Sequence, residues 1–186
     1  LVAGCDTELN KGDTALTTHH VSLIPKTHLF SARMNSSNTT AGGVKGSEMV
    51  TSTLPALATT LKSALGNRLL ERRVLYSKAV DTSAVSQYSK WTGMASDWEW
   101  FSAYCSLLSE VQVYGSMVFG GPYDIGEASQ QLPIFKFINF INYSRSLFWL
   151  RGVASSTDFC RASGNGIADY TSASASNGVR PLITVG

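Results

Sequence analysis

The sequence predicts an α+β domain with two helices, a small antiparallel sheet and long irregular loops. Three observations carry that expectation. Leu54, Leu57, Leu61 and Leu65 recur at helical spacing, and a second apolar helical pattern begins at Pro133. Short β-branched and aromatic runs, bounded by turn residues, recur elsewhere and fill the final third. The stretches between them are rich in Gly, Ser, Thr and Asn. Of 186 residues, 44% are apolar and 15% charged, which supplies a core and excludes a disordered chain.

Residues 1–18 are polar and read as an N-terminal arm or linker, leaving 19–186 as the domain. Val21–Ile24 and His28–Met34 read as short strands separated by Pro25-Lys26. Residues 35–47 are a loop by composition. The first helix follows, with Pro55 in its first turn and Gly66 at its stop position. Residues 73–80 read as a strand. Residues 81–102 read as an irregular loop pinned by Trp91, Trp98, Trp100 and Phe101. A strand over 103–109 leads into a turn or short helix from Glu110 to Tyr114, and 115–131 form a glycine-containing loop. The second helix, opening at Pro133, places Ile134, Phe135, Phe137, Ile138, Phe140 and Ile141 on one face, with Lys136 and Asn139 opposite. Leu147–Arg151 reads as a buried strand, Asp158–Ser163 as another, and Val179–Val185 as the last. Gly164-Asn165-Gly166 suits a hairpin turn, and 167–178 is a polar tract.

Fifteen basic and 13 acidic residues give a net charge of +2, too balanced for a nucleic-acid partner. The densest basic run, Arg68, Arg72, Arg73 and Lys78, suits the negative end of the preceding helix better than a phosphate. Cys5, Cys105 and Cys160 are odd in number, so they set no complete disulfide framework; a pair among them stays open. Cys105 and Cys160 sit in apolar runs and read as buried hydrophobes. No apolar run reaches the ~20 residues of a membrane span, so no membrane insertion is expected. The start carries no signal-peptide pattern, and a chain opening on Leu1 reads as a processed or partial polypeptide.

Four segments in order give the chain a resemblance. They are MNSSNTTAGGVKGSEM at 34–49, LLSEVQVYG at 107–115, FWLRGVASSTDFCRASGNG at 148–166 and ASNGVRPLITV at 175–185. Together they resemble an uncharacterised family of C-type-lectin-like domains from phages and Gram-positive bacteria, related in fold to phage tropism determinants and formylglycine-generating enzymes. The resemblance implies a C-type-lectin-like fold at a virion surface, forming a homo-oligomer. It implies a host surface glycan or protein, or other virion subunits, as partners. It places the ligand-binding tract at Ala154 to Asn177, with Ser155, Ser156, Asp158, Arg161, Asn165, Asp169, Tyr170, Ser172 and Ser174 as the contact residues. Tyr offers contact area at low entropic cost, and Ser and Asn offer adaptable hydrogen bonds.

The expected function is therefore receptor binding by a phage virion protein, with capsid decoration or tail assembly as the alternative. Neither is enzymatic. The loop motifs of calcium-dependent sugar binding are missing, and Asp158 and Asp169 alone make a poor hard-cation site, so no metal and no cofactor are expected. A thiol enzyme would need Cys105 beside Cys160. His19, His20 and His28 lack a metal-binding helix pattern. Three glycosylation sequons, at Asn35, Asn38 and Asn142, matter only in a eukaryotic secretory pathway, which the resemblance disfavours.

Overall fold

The computed structural model of the chain describes residues 1–85, 92–121, 130–136 and 147–186. It is mostly β, which corrects the α+β expectation: strands hold 41% of the described residues and helices 19%, and nine strands form one large curled mixed sheet instead of a small antiparallel one. The strands are β1 (Val2–Cys5), β2 (Val21–Leu23), β3 (Phe30–Ala32), β4 (Arg72–Val85), β5 (Thr92–Ala103), β6 (Cys105–Ser109), β7 (Phe148–Val153), β8 (Asp158–Ala162), β9 (Ala168–Ser172), β10 (Asn177–Val179) and β11 (Pro181–Val185). The helices are α1 (Leu54–Leu65) and α2 (Glu110–Tyr114). The sheet runs β1-β2-β11-β6-β7-β10-β3, with β8 on the other edge of β7 and β9 outside β8; β4 and β5 pair separately.

Strand β7 is the centre of this arrangement. It pairs parallel with β6 and β10 and antiparallel with β8. Its run FWLRGV is buried throughout, as a strand covered on both faces requires. Trp149 and Val153 enter one apolar core, with Met34, Met49, Tyr76, Phe159 and Val179. Phe148 and Leu150 enter the other, with Ile24, Val113, Phe135, Cys160 and Leu182. The Trp149 indole N–H also donates to the Ala32 carbonyl at 2.8 Å, tying β7 to the outer strand β3.

The C-terminal run crosses the middle of the sheet. Its first part, β10, lies beside β3 and β7; its second, β11, lies between β2 and β6. Arg180 sits at the junction and is 1% exposed. Its Nε donates to Pro25 O at 2.9 Å and its Nη2 to Lys26 O at 3.1 Å. The guanidinium lies 5.1 Å from the Phe148 ring centroid and 5.8 Å from that of Phe135. No carboxylate pairs with it among the described residues, and burial lowers it to about 10, so it stays charged at neutral pH.

Residues 1–18, expected as an arm, are built into the body. Strand β1 pairs with β2, and Asp6, at φ +53, turns the chain back. One Asp6 oxygen accepts from the His20 N–H at 2.8 Å, and the other meets His19 Nδ1 at 2.8 Å. Glu8 is buried and faces the equally buried Arg72 at 3.5 Å, while Gln112 Nε2 donates to its other oxygen at 3.4 Å. The Glu8 N–H donates to His20 Nε2 at 3.1 Å, and His20 Nδ1 lies 2.9 Å from Thr18 O, which fixes the Nδ1–H tautomer.

The expected loop over 81–102 is also corrected. Residues 72–85 and 92–103 form one long antiparallel hairpin, paired from Arg72↔Ala103 to Val85↔Thr92 with register shifts beyond Ser77. Trp91 lies outside the described residues. The outer half is exposed at Asp81, Thr82, Ser83 and Val85, so no buried face marks it as strand in the sequence. Of the basic run, Arg72, Arg73 and Lys78 belong to this hairpin, while Arg68 ends the 3-10 turn (Gly66–Arg68) that follows α1. Arg72 meets Glu8, Arg73 meets Asp13 at 2.7 Å, and Lys78 meets Asp97 at 3.2 Å.

Helix α1 forms where expected, with Pro55 in its first turn and Gly66 as its C-cap, and a π-helical turn (Met49–Thr53) feeds into it. Helix α2 has a capping box: the Ser109 hydroxyl accepts from the Gln112 N–H, and the Gln112 side chain accepts from the Ser109 N–H. Of the expected second helix, Pro133–Lys136 is a 3-10 turn, and its remainder lies outside the described residues with the Asn142 sequon.

Two outcomes test this architecture. Trp149→Ala removes a fully buried ring and should lower the unfolding free energy by about 3–5 kcal/mol, read by urea denaturation. Arg180→Lys keeps the charge but lacks the planar fork that spans two carbonyls and two rings; a loss of about 2–3 kcal/mol is expected in the same assay. An unchanged midpoint for the lysine variant would show that the fork does not tie the crossing together.

Candidate binding surface

The nine residues expected to meet a ligand fall into three structural groups. Ser155, Ser156 and Asp158 form the tight turn between β7 and β8. Ser155 is buried; its hydroxyl accepts from the N–H groups of Thr157 (3.1 Å) and Asp158 (3.0 Å) and donates to the Asp158 carboxylate (2.5 Å). Its carbonyl accepts from the Thr40 hydroxyl at 2.8 Å, and the Ser156 carbonyl from the Thr40 N–H at 3.0 Å. The Ser156 N–H donates to Thr92 O at 2.9 Å, where Gly93 passes so close that a Cβ would lie 2.2 Å from Ser156 N. This turn ties the Thr40 and Thr92 segments to the β7–β8 connection, with Ser155 buried and Ser156, Thr157 and Asp158 half-buried.

The hairpin of β8 and β9 divides the next residues between two faces, because directly paired residues point the same way and successive ones alternate. The register pairs Asp158 with Ser172 and Cys160 with Tyr170; between them, Phe159 pairs with Thr171 and Arg161 with Asp169. Tyr170 and Ser172 therefore share the face of Cys160. The Tyr170 ring packs edge-on against Phe119, centroids 5.0 Å apart. Arg161 and Asp169 take the opposite face, beside Trp149. Asn165 and Ser174 are exposed in turns on either side of β9.

On that opposite face the structure assembles a compact group. Arg161 Nε and Nη2 both reach Asp169 Oδ2, at 2.8 and 2.7 Å. Arg161 Nη1 donates to Asn177 Oδ1 at 3.2 Å. Asn177 is 4% exposed, and its Nδ2 has no hydrogen-bond partner among the described residues. A buried donor left unpaired costs about 1–3 kcal/mol and calls for an explanation. The pairings Phe148↔Ala162, Gly178↔Phe148 and Asn177↔Ala32 put Leu147, Asn177 and Ala32 in one row across this face. Ile167, bonded to Ser163 at the hairpin end, continues the row. Leu147 is 37% exposed and Ile167 61%. Phe30, at the outer strand on the same face, is also 37% exposed.

Beyond Ala32 the surface dips into a shallow depression lined also by Arg33, Glu48, Thr53, Ser174 and Ser176. Glu48 meets Arg33 at 3.2 Å. The Ser36 hydroxyl and amide, and then Arg33, hold the Glu48 carboxyl below its ordinary range, so it is ionised at neutral pH. The whole strip alternates ion pairs, amide and hydroxyl groups with exposed apolar side chains. It can hydrogen-bond a polar partner while burying apolar area.

Arg161, Asp169, Asn165 and Ser174 were legible as candidates. Leu147, Asn177 and Ala32 were not. Asn177 closes the tract expected to bind a ligand but was not among the named contact residues, and its role follows from a register the sequence does not encode locally. The cysteines do not converge: Cys105 belongs to one apolar core and Cys160 to the other, and all three cysteines are free thiols. Burial raises Cys105 to about 11. No group of three or more potential metal ligands occurs among the described residues.

No protein-family model, curated protein or solved structure matches this chain. The likeness to phage and Gram-positive domains therefore stands on the four sequence segments alone.

The two kinds of position predict different costs. Ser155→Ala removes three hydrogen bonds from a buried turn and should cost about 1–3 kcal/mol of stability. Asp169→Ala breaks a partly exposed ion pair and should cost under about 1 kcal/mol. Thermal melts of the two variants check the order; a larger loss for Asp169→Ala would make the pair a structural element.

Proposed function

We propose that the chain is a non-enzymatic recognition module of a phage particle. It binds a glycan or protein on a host cell through the strip from Ile167 to the Arg33–Glu48 depression. The observation that carries this reading is the Arg161–Asp169–Asn177 group. A part-exposed ion pair and a buried amide with an unused donor stand among exposed apolar side chains. Placement on a phage rests on the sequence resemblance. The low charge of the chain favours hydrogen-bonded over field-driven recognition.

A second reading, contact with other subunits of the particle, is favoured by the exposed outer half of the β4–β5 hairpin, where Val85 is 61% exposed.

The test is binding of the fluorescently labelled chain to a panel of Gram-positive cells and to a glycan array. Arg161→Ala and Asp169→Ala should each weaken binding by about tenfold or more, the loss of one charge-assisted contact. Ser155→Ala should bind as wild type below its melting temperature. Wild-type binding by both strip variants would move the interface elsewhere. Loss of particle incorporation with Val85→Asp, without loss of cell binding by the free chain, would assign the hairpin to assembly.

A further inference from the structure

We infer that the groove between α1 and the β5–β6 corner is a binding site for a small amphiphilic carboxylate, an apolar body ending in one anionic group. The site is separate from the proposed recognition strip and shares no residue with it.

The groove arises because α1 covers its sheet incompletely. Only Leu54 of α1 is buried; Leu57, Ala58 and Leu61 pack partly on the core. Between the helix and residues 101–105 a space of about 350 Å³ stays open to solvent. That is within the ~300–1,000 Å³ range of small-molecule sites. Val50, Leu54, Pro55, Ala58, Phe101 and Cys105 supply an apolar floor and walls. The Cys105 thiol donates to Leu54 O at 3.5 Å, and with burial raising it to about 11 it stays neutral, so the floor carries no charge.

The polar groups gather at one place. Among the described residues no acid lies within ion-pairing distance of Lys62 Nζ, and Glu71 acts on it only from further away, whereas Arg72 and Arg73, on the strand paired with residues 102 and 103, each have a carboxylate partner. Lys62 instead donates to the Tyr104 hydroxyl at 2.8 Å. The Tyr104 hydroxyl, having accepted that bond, still has its own proton to donate. A carboxylate at this point receives one charged and one neutral hydrogen bond, and its apolar body follows the floor. A cation or a neutral alcohol gains no such pair. The charge selects an anion, the lining selects an apolar body, and the volume limits the ligand to a single chain or ring system.

Isothermal titration with sodium decanoate, decan-1-ol and decyltrimethylammonium, each below its aggregation threshold, tests the site. Decanoate should bind saturably at one site per chain, with decanol about tenfold weaker and the cation undetected. Lys62→Met keeps the apolar stem and should reduce decanoate to the affinity of decanol while leaving decanol unchanged. Ala58→Trp fills the groove and should abolish both. Equal affinity for decanoate and decanol, non-saturating heats, or full decanoate affinity in Lys62→Met would overturn the site. If Ala58→Trp fails to fold, the Lys62→Met comparison decides alone.

Discussion

The architecture depends on one buried cation. Arg180 stands where the C-terminal run passes from the β3–β7 side of the sheet to the β2–β6 side. A guanidinium in an apolar interior carries a heavy desolvation cost. Here, with no counter-ion among the described residues, two backbone carbonyls and two aromatic faces offset part of it, and Nη1 has no hydrogen-bond partner among them. Those carbonyls, Pro25 and Lys26, belong to the link between β2 and β3. Arg180 therefore holds together the crossing strand, the connection that spans it and both rings of the adjoining core. A planar side chain with several donors in one plane suits that task.

Around this node the chain ends close the sheet. The N-terminal strand adds an outer edge to β2, and the buried Glu8–Arg72 pair links it to the base of the long hairpin. This pair is costly to bury and costlier to break, because either partner alone would be an uncompensated charge. Its value is positional: it fixes where the hairpin leaves the body. Glu110 acts similarly on the loop after α2. Its carboxylate accepts from the N–H groups of Val118, Phe119 and Gly120 and places Phe119 against Tyr170. The proposed recognition strip then lies on a hairpin whose other face, through Cys160 and Tyr170, packs on the core, so its polar groups sit on a rigid support.

Several features were readable from residues alone. Phe148, Trp149 and Leu150 read as a buried strand because none of the three side chains favours a solvent face, although Leu147 of the same run is exposed. Pro55 and Gly66 bounded α1, because capping is settled within one helical turn; the Ser109–Gln112 box of α2 emerged only in the structure. The strands within 81–102 and 167–178 were hidden. Trp98 and Trp100 alternate with Asp97 and Glu99, but both faces of the outer hairpin are partly wet, so alternation carried no core signal. In the polar tract, β9 is intermediate in exposure at every position, which reads as loop.

The sequence by itself determined which residues are apolar enough to be buried, where α1 begins and ends, and that the C-terminal third is strand and turn. These are local properties, set by side-chain chemistry and by neighbours within a turn or two. Only the tertiary structure decided that the sheet has nine strands of mixed direction, that Ser155 is buried, and that Arg161, Asp169 and Asn177 meet on one face. Those outcomes depend on strand register between segments far apart in the chain. A shift of one residue in register reverses every side chain, and no local pattern fixes it.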